Sequence, residues 1–375
     1  MSAPMEGIKV LDFSRVLAGP FATMHLADLG AQVVKVERPE HGDDTRSFGP
    51  PFSNGVSTYF LAVNRGKRSI VLDLKSEEGR ETACQLAACA DVVIENFRPG
   101  VMERLGLGPD VLRTANPGLV YCSISGFGRE SQRAGYDLVV QGMGGIPSLT
   151  GDPNGTPAKC GASIADLVTG LYAVQSILAA LLRRTRTGEG ALIDVPMIDG
   201  QVALLTYHAS GLLNAGAVPK RLGNHHPSIH PYGTYRAKDG HLNVAVGNDK
   251  LFIAFAKALG APPWAMDARF ERNADRVALR DELDPLIEAA LKERTIQEWC
   301  DVFMAAGVPA GPINTVAEAV KSVDLVSHPH PSGEGVVKTA PLPFKMDGAP
   351  RSAVLRPPVL GEHTEEVLRR WLKAD

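Results

Sequence analysis

The feature that most constrains this chain is an alternation, over its N-terminal third, of continuous β-branched apolar runs with helix-like segments. The runs are Ile8–Phe13, Gln32–Glu37, Ser69–Leu74, Asp91–Phe97 and Leu119–Ser125. A strand with one wet face alternates apolar and polar residues. A run that is apolar throughout suits a strand covered on both faces, as in a parallel sheet. Between the runs lie Phe21–Leu29, which stops at Gly30, and Glu77–Ala90, which carries Leu86 and Ala87 on one face and charge on the other. This βαβαβ rhythm predicts an α/β protein with an open, mostly parallel, Rossmann-like sheet and helices on both sides.

A long apolar helix is expected from Leu167 to about Arg184, with Asp166 at its N-cap position and Arg183, Arg184 and Arg186 at its end. Both ends suit the helix dipole. A strand (Ala191–Val195) and a second apolar helix (Met197–Leu213) follow. The pattern then changes. Residues 215–233 are rich in Gly, Pro, His and Asn and read as a linker or large loop. Lys238-Asp239-Gly240 reads as a hairpin turn between Gly233–Arg236 and His241–Val246, and helices are expected near 249–259, 277–293 and 296–306. These make a second, smaller α+β unit, consistent with a chain of 375 residues. The tail, Gly361 to Asp375, reads as a turn and a terminal amphipathic helix.

Charge and motifs narrow the function. A formal net charge of −3 leaves no basic excess to neutralise phosphates, so no nucleic-acid partner is expected. No signal or transit peptide is visible, and no apolar run reaches the ~18 residues of a membrane span. The five cysteines are irregularly spaced without C-x-x-C, which fits free thiols in a reducing cytoplasm. No G-x-x-x-x-G-K-[ST] loop occurs, Gly142–Pro147 is not G-x-G-x-x-G, and Ser125-Gly126 lacks the glycine that would precede a nucleophile elbow. His226 and His230 have the spacing of a helical zinc pair, but Pro227 and Pro231 argue against a helix there. A polar loop lining a cleft is the reading adopted, and no metal site is expected.

Charged and polar side chains recur just after the strands: Arg15 after the first, Arg38 after the second, Lys75 after the third, and Asn96, Arg98 and Arg104 after the fourth. Ligands of open α/β sheets bind beyond the carboxyl ends of the strands, so this recurrence suits an anionic, phosphate-bearing ligand. Two readings of Asp166 stay open on residue chemistry alone. It is a helix cap, or it is an ionised carboxylate beside a Gly-rich segment (Gly142, Gly144, Gly145, Gly151, Gly155, Gly161) that acts as a covalent nucleophile.

Ordered motifs along almost the whole chain resemble the class III CoA-transferases, the CaiB/BaiF family. They include Leu11-Asp12-Phe13-Ser14-Arg15-Val16-Leu17-Ala18-Gly19-Pro20, Val36-Glu37-Arg38-Pro39, Asn64-Arg65-Gly66-Lys67-Arg68-Ser69-Ile70 and Leu72-Asp73-Leu74-Lys75. Further motifs are Glu95-Asn96-Phe97-Arg98-Pro99-Gly100, Gly135-Tyr136-Asp137, Asp166-Leu167-Val168-Thr169-Gly170 and Leu360-Gly361-Glu362-His363-Thr364. The resemblance implies an interlocked homodimer. Each chain would have a large Rossmann-like CoA-binding domain, residues 1–214 and 325–375, and a small domain with its linkers, residues 215–324.

It also implies a mechanism. Asp166 matches the family's catalytic aspartate, whose carboxylate attacks an acyl-CoA thioester to give a mixed anhydride and CoA thiolate. The thiolate then forms an aspartyl-CoA thioester. The acceptor carboxylate attacks that thioester, and returning CoA completes the transfer. No prosthetic group or metal is implied, since coenzyme A is substrate. CoA contacts carry over onto Arg15, Val16, Leu17, Ala18, Arg38, Leu72, Asp73, Leu74, Lys75, Asn96, Phe97, Arg98, Arg104, Gly135, Tyr136 and Asp137.

Within the family, Arg15–Met24, Gly42–Arg46 and Ser228–Tyr232 look most like transferases using succinyl-CoA with a dicarboxylate such as glutarate. Arg15 and Leu17 stand where some oxalate-type members have His and Gln. Arg15, Arg46 and His230 are candidates for holding a second carboxylate. The rival readings are an α-methylacyl-CoA racemase, a redox enzyme on a plain Rossmann sheet and a non-catalytic CoA-binding protein. Racemases carry Gly-His-Asp where this chain has Gly135-Tyr136-Asp137, and a tyrosine with a reference pKa near 10 is no neutral-pH base.

Overall fold

The computed structural model describes residues 3–347, 349–350 and 355–372. Each of the five apolar runs coincides with or overlaps a strand: β1 (Lys9–Asp12), β2 (Gln32–Glu37), β3 (Lys67–Val71), β4 (Val92–Glu95) and β5 (Val120–Ser125). A sixth, β6 (Ala191–Pro196), joins them in the order β3-β2-β1-β4-β5-β6, with every neighbouring pair parallel. The result is a mixed α/β fold with a large parallel sheet. The order reverses between β1 and β4, which opens a crevice at their carboxyl ends.

Period-two geometry explains why the runs are continuous. Val10, Val33, Val92 and Val120 face one core, and their neighbours Leu11, Val34, Val93 and Tyr121 face the other. The first core is closed by α1 (Ala18–Asp28) and by the helix Ile164–Thr187. The second is closed by α2 (Glu77–Ala88) and, from the far end of the chain, by Val367 and Trp371. The tail also covers the outer edge of β3. His363 N donates to Ser69 O, Gly361 N to Ser69 Oγ and Val71 N to Thr364 Oγ1, so few backbone groups of this edge strand stay open.

Some helix boundaries differ from expectation. α3 (Asp137–Met143) precedes α4 (Ile164–Thr187), and α4 starts three residues before Leu167, with Ser163 at the N-cap position. Asp166 is therefore inside the first turn and does not cap the helix. The apolar stretch Met197–Leu213 is two helices, α5 (Met197–Leu204) and α6 (Thr206–Ala215), because Thr206 takes a positive φ of 37° that interrupts the helical path.

By length and composition, α4 is apolar enough to cross a membrane, contrary to the expectation that no such run exists. Its Ala165, Thr169, Gly170, Ala173, Ile177, Ala180 and Leu181 are buried at helical spacing, and the helix packs on α1 and the sheet. At Gly170 a Cβ would meet Ala18 O at 2.8 Å, so this glycine sets how closely α1 and α4 approach.

By internal packing the chain forms two units. One comprises the residues up to Ile146, Lys159–Ala217 and the residues from Asp324 on; the other comprises Pro147–Ala158 and Val218–Val323. The second holds an antiparallel sheet of β7 (Tyr232–Arg236), β8 (His241–Ala245) and β9 (Ala310–Pro312), with Ala237–Gly240 closing the hairpin. The helices α7 (Asp249–Ala258), α8 (Arg280–Leu291) and α9 (Ile296–Ala305) cover it. Phe255, Phe303 and Trp299 stack in its core, and the indole N–H of Trp299 donates to Leu291 O. The helix expected over 277–293 starts at Arg280, after a short separate helix Asn273–Ala278.

Candidate active site

The crevice at the strand-order reversal is lined by Arg15, Val16, Leu17, Ala18, Asn96, Phe97, Arg98, Gly135, Tyr136 and Asp166. Asp44, Ser125, Arg133 and Met197 also line it and were not read from the sequence. A second pocket shares Arg15 and Phe97 with it and adds Arg38, Leu72, Asp73, Leu74 and Lys75. Of the residues expected to contact CoA, Arg104 and Asp137 line neither pocket. Arg104 lies on the short helix Val101–Arg104, beside Gly100.

The loop after β1 is built with little freedom. Arg15 N donates to Asn96 Oδ1 at 2.8 Å, and Asn96 Nδ2 donates back to Arg15 O at 2.7 Å, which locks the ends of β1 and β4 together. Val16 is held at a φ of 68°, a costly conformation for a β-branched residue. Val16 N donates to Asp43 Oδ1, and Ser14 O accepts from Lys35 Nζ at 2.8 Å. Lys35 and Asp43 form a fully buried ion pair at 2.8 Å. Burial raises the Asp43 carboxyl, but Lys35 and hydrogen bonds from Thr45 outweigh it and hold the pKa down at about 2. Next in the chain, α1 begins with Leu17 at its cap position, which offers no side-chain acceptor. Its first-turn N–H groups are thus suited to an anion in the crevice.

Three of the expected cations lie around the second pocket. Arg38 pairs with Asp44 at 2.6 Å, Arg15 approaches the same carboxylate at 3.5 Å and stacks 4.9 Å over Phe97, and Lys75 is exposed. Asp44 thus bridges two guanidiniums that a polyphosphate would compete for. The opposite wall depends on a contact between two glycines. A Cβ on Gly126 would lie 2.7 Å from Gly135 Cα, so only a pair of glycines lets the segment after β5 fold back on itself.

Asp166 sits in the first turn of α4, and the capping role falls to Asp137. Asp137 Oδ1 accepts from Ala165 N at 2.9 Å, while its Oδ2 accepts from Gln141 Nε2. Among the described residues no hydrogen bond or ion pair engages the Asp166 carboxylate. Burial, with Asp137 as a like charge, pushes its pKa up to about 7. This corrects the reading of a simply ionised carboxylate, because desolvation favours the protonated form. Tyr59, which the sequence did not single out, is held protonated by burial and by the charges of Asp166, Asp137 and Asp43, its pKa pushed up to about 12. It supplies a neutral hydroxyl in the field of Asp166.

Two candidates for a second carboxylate are removed. Arg46 is bound to Glu37 through Nε and Nη2 and lies 3.8 Å over Phe60, and His230 is fully buried in the second unit. His226 and His230, whose helical spacing the prolines argued against, do not come together. His226 packs on Tyr232 at 5.3 Å, whereas His225, His230 and Asp284 come together.

The Asp137–Asp166 pair gives a first prediction. An Asp166 that titrates near 7 makes activity that depends on its carboxylate fall as pH drops below 7. Asp137→Asn removes the like charge but keeps an acceptor for Ala165 N. The acidic limb of kcat/KM should move down by about one pH unit; an unmoved limb would show that Asp166 does not govern it.

Comparison with known proteins agrees with this construction. Residues 5–364 match the model of CoA-transferase family III. The chain is 41% identical to the succinyl-CoA:glutarate CoA-transferase of Mus musculus over 99% of this chain and 87% of that one. It is 46% identical to the acetyl-CoA:oxalate CoA-transferase of Acetobacter aceti over 84% and 82%. A solved CaiB/BaiF family protein from Brucella suis superposes with a TM-score of 0.86 at 43% identity, covering 100% of both chains. A parallel sheet with a strand-end crevice, an unpaired carboxylate in its wall and a family match over nearly the full length lead to one assignment: the chain is a CoA-transferase of family III.

Proposed function

We propose that the protein transfers coenzyme A from an acyl-CoA donor to a carboxylic acid by covalent catalysis at Asp166. The observation that carries this reading is an unengaged carboxylate lining the same crevice as the strand-end residues that would hold CoA. Its raised pKa fits the chemistry, since a desolvated carboxylate is more basic and more nucleophilic than one in water. In this scheme an Asp166 oxygen attacks the thioester carbonyl and CoA thiolate leaves. The thiolate then attacks the aspartyl carbonyl and expels the donor acid. The acceptor carboxylate reverses these two steps with itself in the donor's place. Each intermediate is an activated acyl, so the bond energy stays in the site as long as water is kept out. The first-turn N–H groups of α1, together with Arg15, Arg38, Lys75 and Arg98, would bind the phosphates of CoA. The pocket shared by Arg38, Leu72, Leu74 and Phe97 would hold its base.

For substrates we infer succinyl-CoA as donor and a dicarboxylate such as glutarate as acceptor. The named relatives act on succinyl-CoA with glutarate and on acetyl-CoA with oxalate, and both acceptors are dicarboxylates. With Arg15 and Arg98 given to the phosphates, Arg133 is the crevice cation that would meet the second carboxylate. We further propose a homodimer. The outer face of α4 and the following helices leave Leu182, Tyr207 and Leu213 exposed, an apolar surface suited to a second copy. Five free cysteines suit a cytoplasmic setting. The unit that holds the parallel sheet would serve as the CoA-binding domain, and the other as a smaller second domain.

The test is to trap the acyl-enzyme. Incubation with succinyl-CoA, followed by hydroxylamine or by peptide mass analysis, should label Asp166, and added glutarate should discharge the label. Label-free enzyme that still turns over would overturn the mechanism. Equal turnover with acetate would overturn the acceptor class alone.

A further inference from the structure

The second unit contains a set of metal-type donors, one of them fully buried and two half-buried. His225, His230 and Asp284 each present one ligand atom, and these atoms all lie within 4.8 Å of one another. His230 Nε2 is 3.3 Å from Asp284 Oδ1, and His225 Nε2 is 3.7 Å from Asp284 Oδ2. Neither ring nitrogen of His230 makes a hydrogen bond, and nor does Asp284 Oδ1, although the His230 side chain is completely buried. Nε2 has only the long contact to Asp284 Oδ1, and Nδ1 has no hydrogen-bond partner among the described residues, so the buried ring is under-satisfied, a cost that a bound ion would reduce.

The ring chemistry favours a ligand role. An imidazole nitrogen can offer a lone pair to a metal, and one from each of His225 and His230 lies within 4.8 Å of an Asp284 oxygen. The loop is shaped around His225, since a Cβ on Gly233 would lie 2.5 Å from His225 Nδ1. Two imidazoles and one carboxylate form a donor set typical of zinc and related first-row ions. At about 2.1 Å from each donor, such an ion holds its ligands roughly 3–4 Å apart. Seating it therefore needs the widest pair to close by about 1–2 Å, a side-chain adjustment.

Surrounding charge sets the strength. Arg276 is neutralised by Asp249 at 2.7 Å and by the carbonyls of His230, Phe270 and Glu271. Arg280, which donates to His226 O, lies one turn from Asp284 and opposes a cation, while Glu288 on the other side favours one.

We propose that His225, His230 and Asp284 form a site for a divalent transition-metal ion of the zinc type, which ties the loop before β7 to α8. The role is structural, because the ion would staple an irregular loop to a core helix.

Chelator-treated full-length protein titrated with Zn²⁺ should take up one equivalent and gain thermal stability. Co²⁺ in its place should give the visible d–d bands of a low-coordinate nitrogen and oxygen site. His225→Gln, at a half-buried position that does not carry the core, and Asp284→Asn should each weaken uptake by about tenfold or more and abolish the thermal shift. His230 is left intact in both variants because its ring is part of the packed interior. Absence of stoichiometric binding at about 100 µM metal, or uptake unchanged in folded His225→Gln protein, would overturn the site.

Discussion

Replacing Asp166 by asparagine will abolish CoA transfer and leave the fold intact. Asparagine keeps the volume and the position in the first turn of α4, but it has no carboxylate to acylate. Removal of a covalent nucleophile elsewhere costs from ~10⁴ to ~10⁶ in kcat, so a loss of at least about 10³-fold is the expected scale. Stability should move the opposite way. The folded-state pKa of Asp166 is about 7, above its ordinary value of 3.8. Between those two pH values the unfolded chain loses this proton and the folded chain keeps it. The carboxyl therefore costs stability progressively as pH rises from about 4 to 7, and the cost is complete above that. The neutral amide of the Asp166→Asn variant carries no such cost, so this protein should melt at or above the wild-type temperature at about pH 8. A variant that transfers CoA at a tenth of the wild-type rate or better would remove Asp166 from the mechanism.

Replacing Asp43 by alanine will damage both the fold and the crevice. Lys35 would be left charged and unpaired in a fully buried position, a loss of ~3–5 kcal/mol. Val16 N would lose its acceptor and Thr45 its partner, which frees the loop that carries Arg15 into both pockets. The expected result is a lower melting temperature with a raised KM for the acyl-CoA donor. The double change Lys35→Met with Asp43→Leu separates the two effects. Removing both charges should restore most of the stability, as apolar replacements of buried pairs do, whereas the loop still lacks its anchors and KM should stay high. Recovery of both together would mean that the ion pair is structural and does not position the loop. The pH sign follows from the lowered Asp43 pKa of about 2: the pair's contribution is complete above the ordinary carboxylate pKa near 4 and is lost as pH falls through 2.

Some of this was legible in the residues and some was not, for physical reasons. Buried parallel strands announce themselves, because a residue pair such as Val33-Val34 or Val92-Val93 must be apolar on both sides of the sheet. The strand-end positions Arg15, Arg38, Lys75 and Asn96 could be read for the same reason, since ligands meet such sheets at those ends. The start of α4 could not be fixed, because an aspartate suits both an N-cap and a first turn, and what decided it was Asp137, 29 residues upstream of Asp166. The titration of Asp166 was misread for a related reason. Helix position is visible in a sequence, but desolvation by a folded wall is not. Arg133 carries no local signature of the crevice it lines, and Tyr59 none of its place in the field of Asp166. The histidine cluster shows the limit of spacing rules. His226 and His230 fit a helical template, yet a loop interrupted by Pro227 and Pro231 places His225 against His230 instead.

The C-terminal helix Thr364–Leu372 has a consequence for how the protein is made. Val367 and Trp371 complete one face of the sheet, and the residues just before them cover the outer edge of β3. These amino acids follow every sheet strand in the order of synthesis. The nascent sheet therefore emerges with one side uncovered and one strand edge unpaired. Premature stop codons that remove only this helix would thus expose a sticky surface and lead to aggregation, with every crevice residue still encoded.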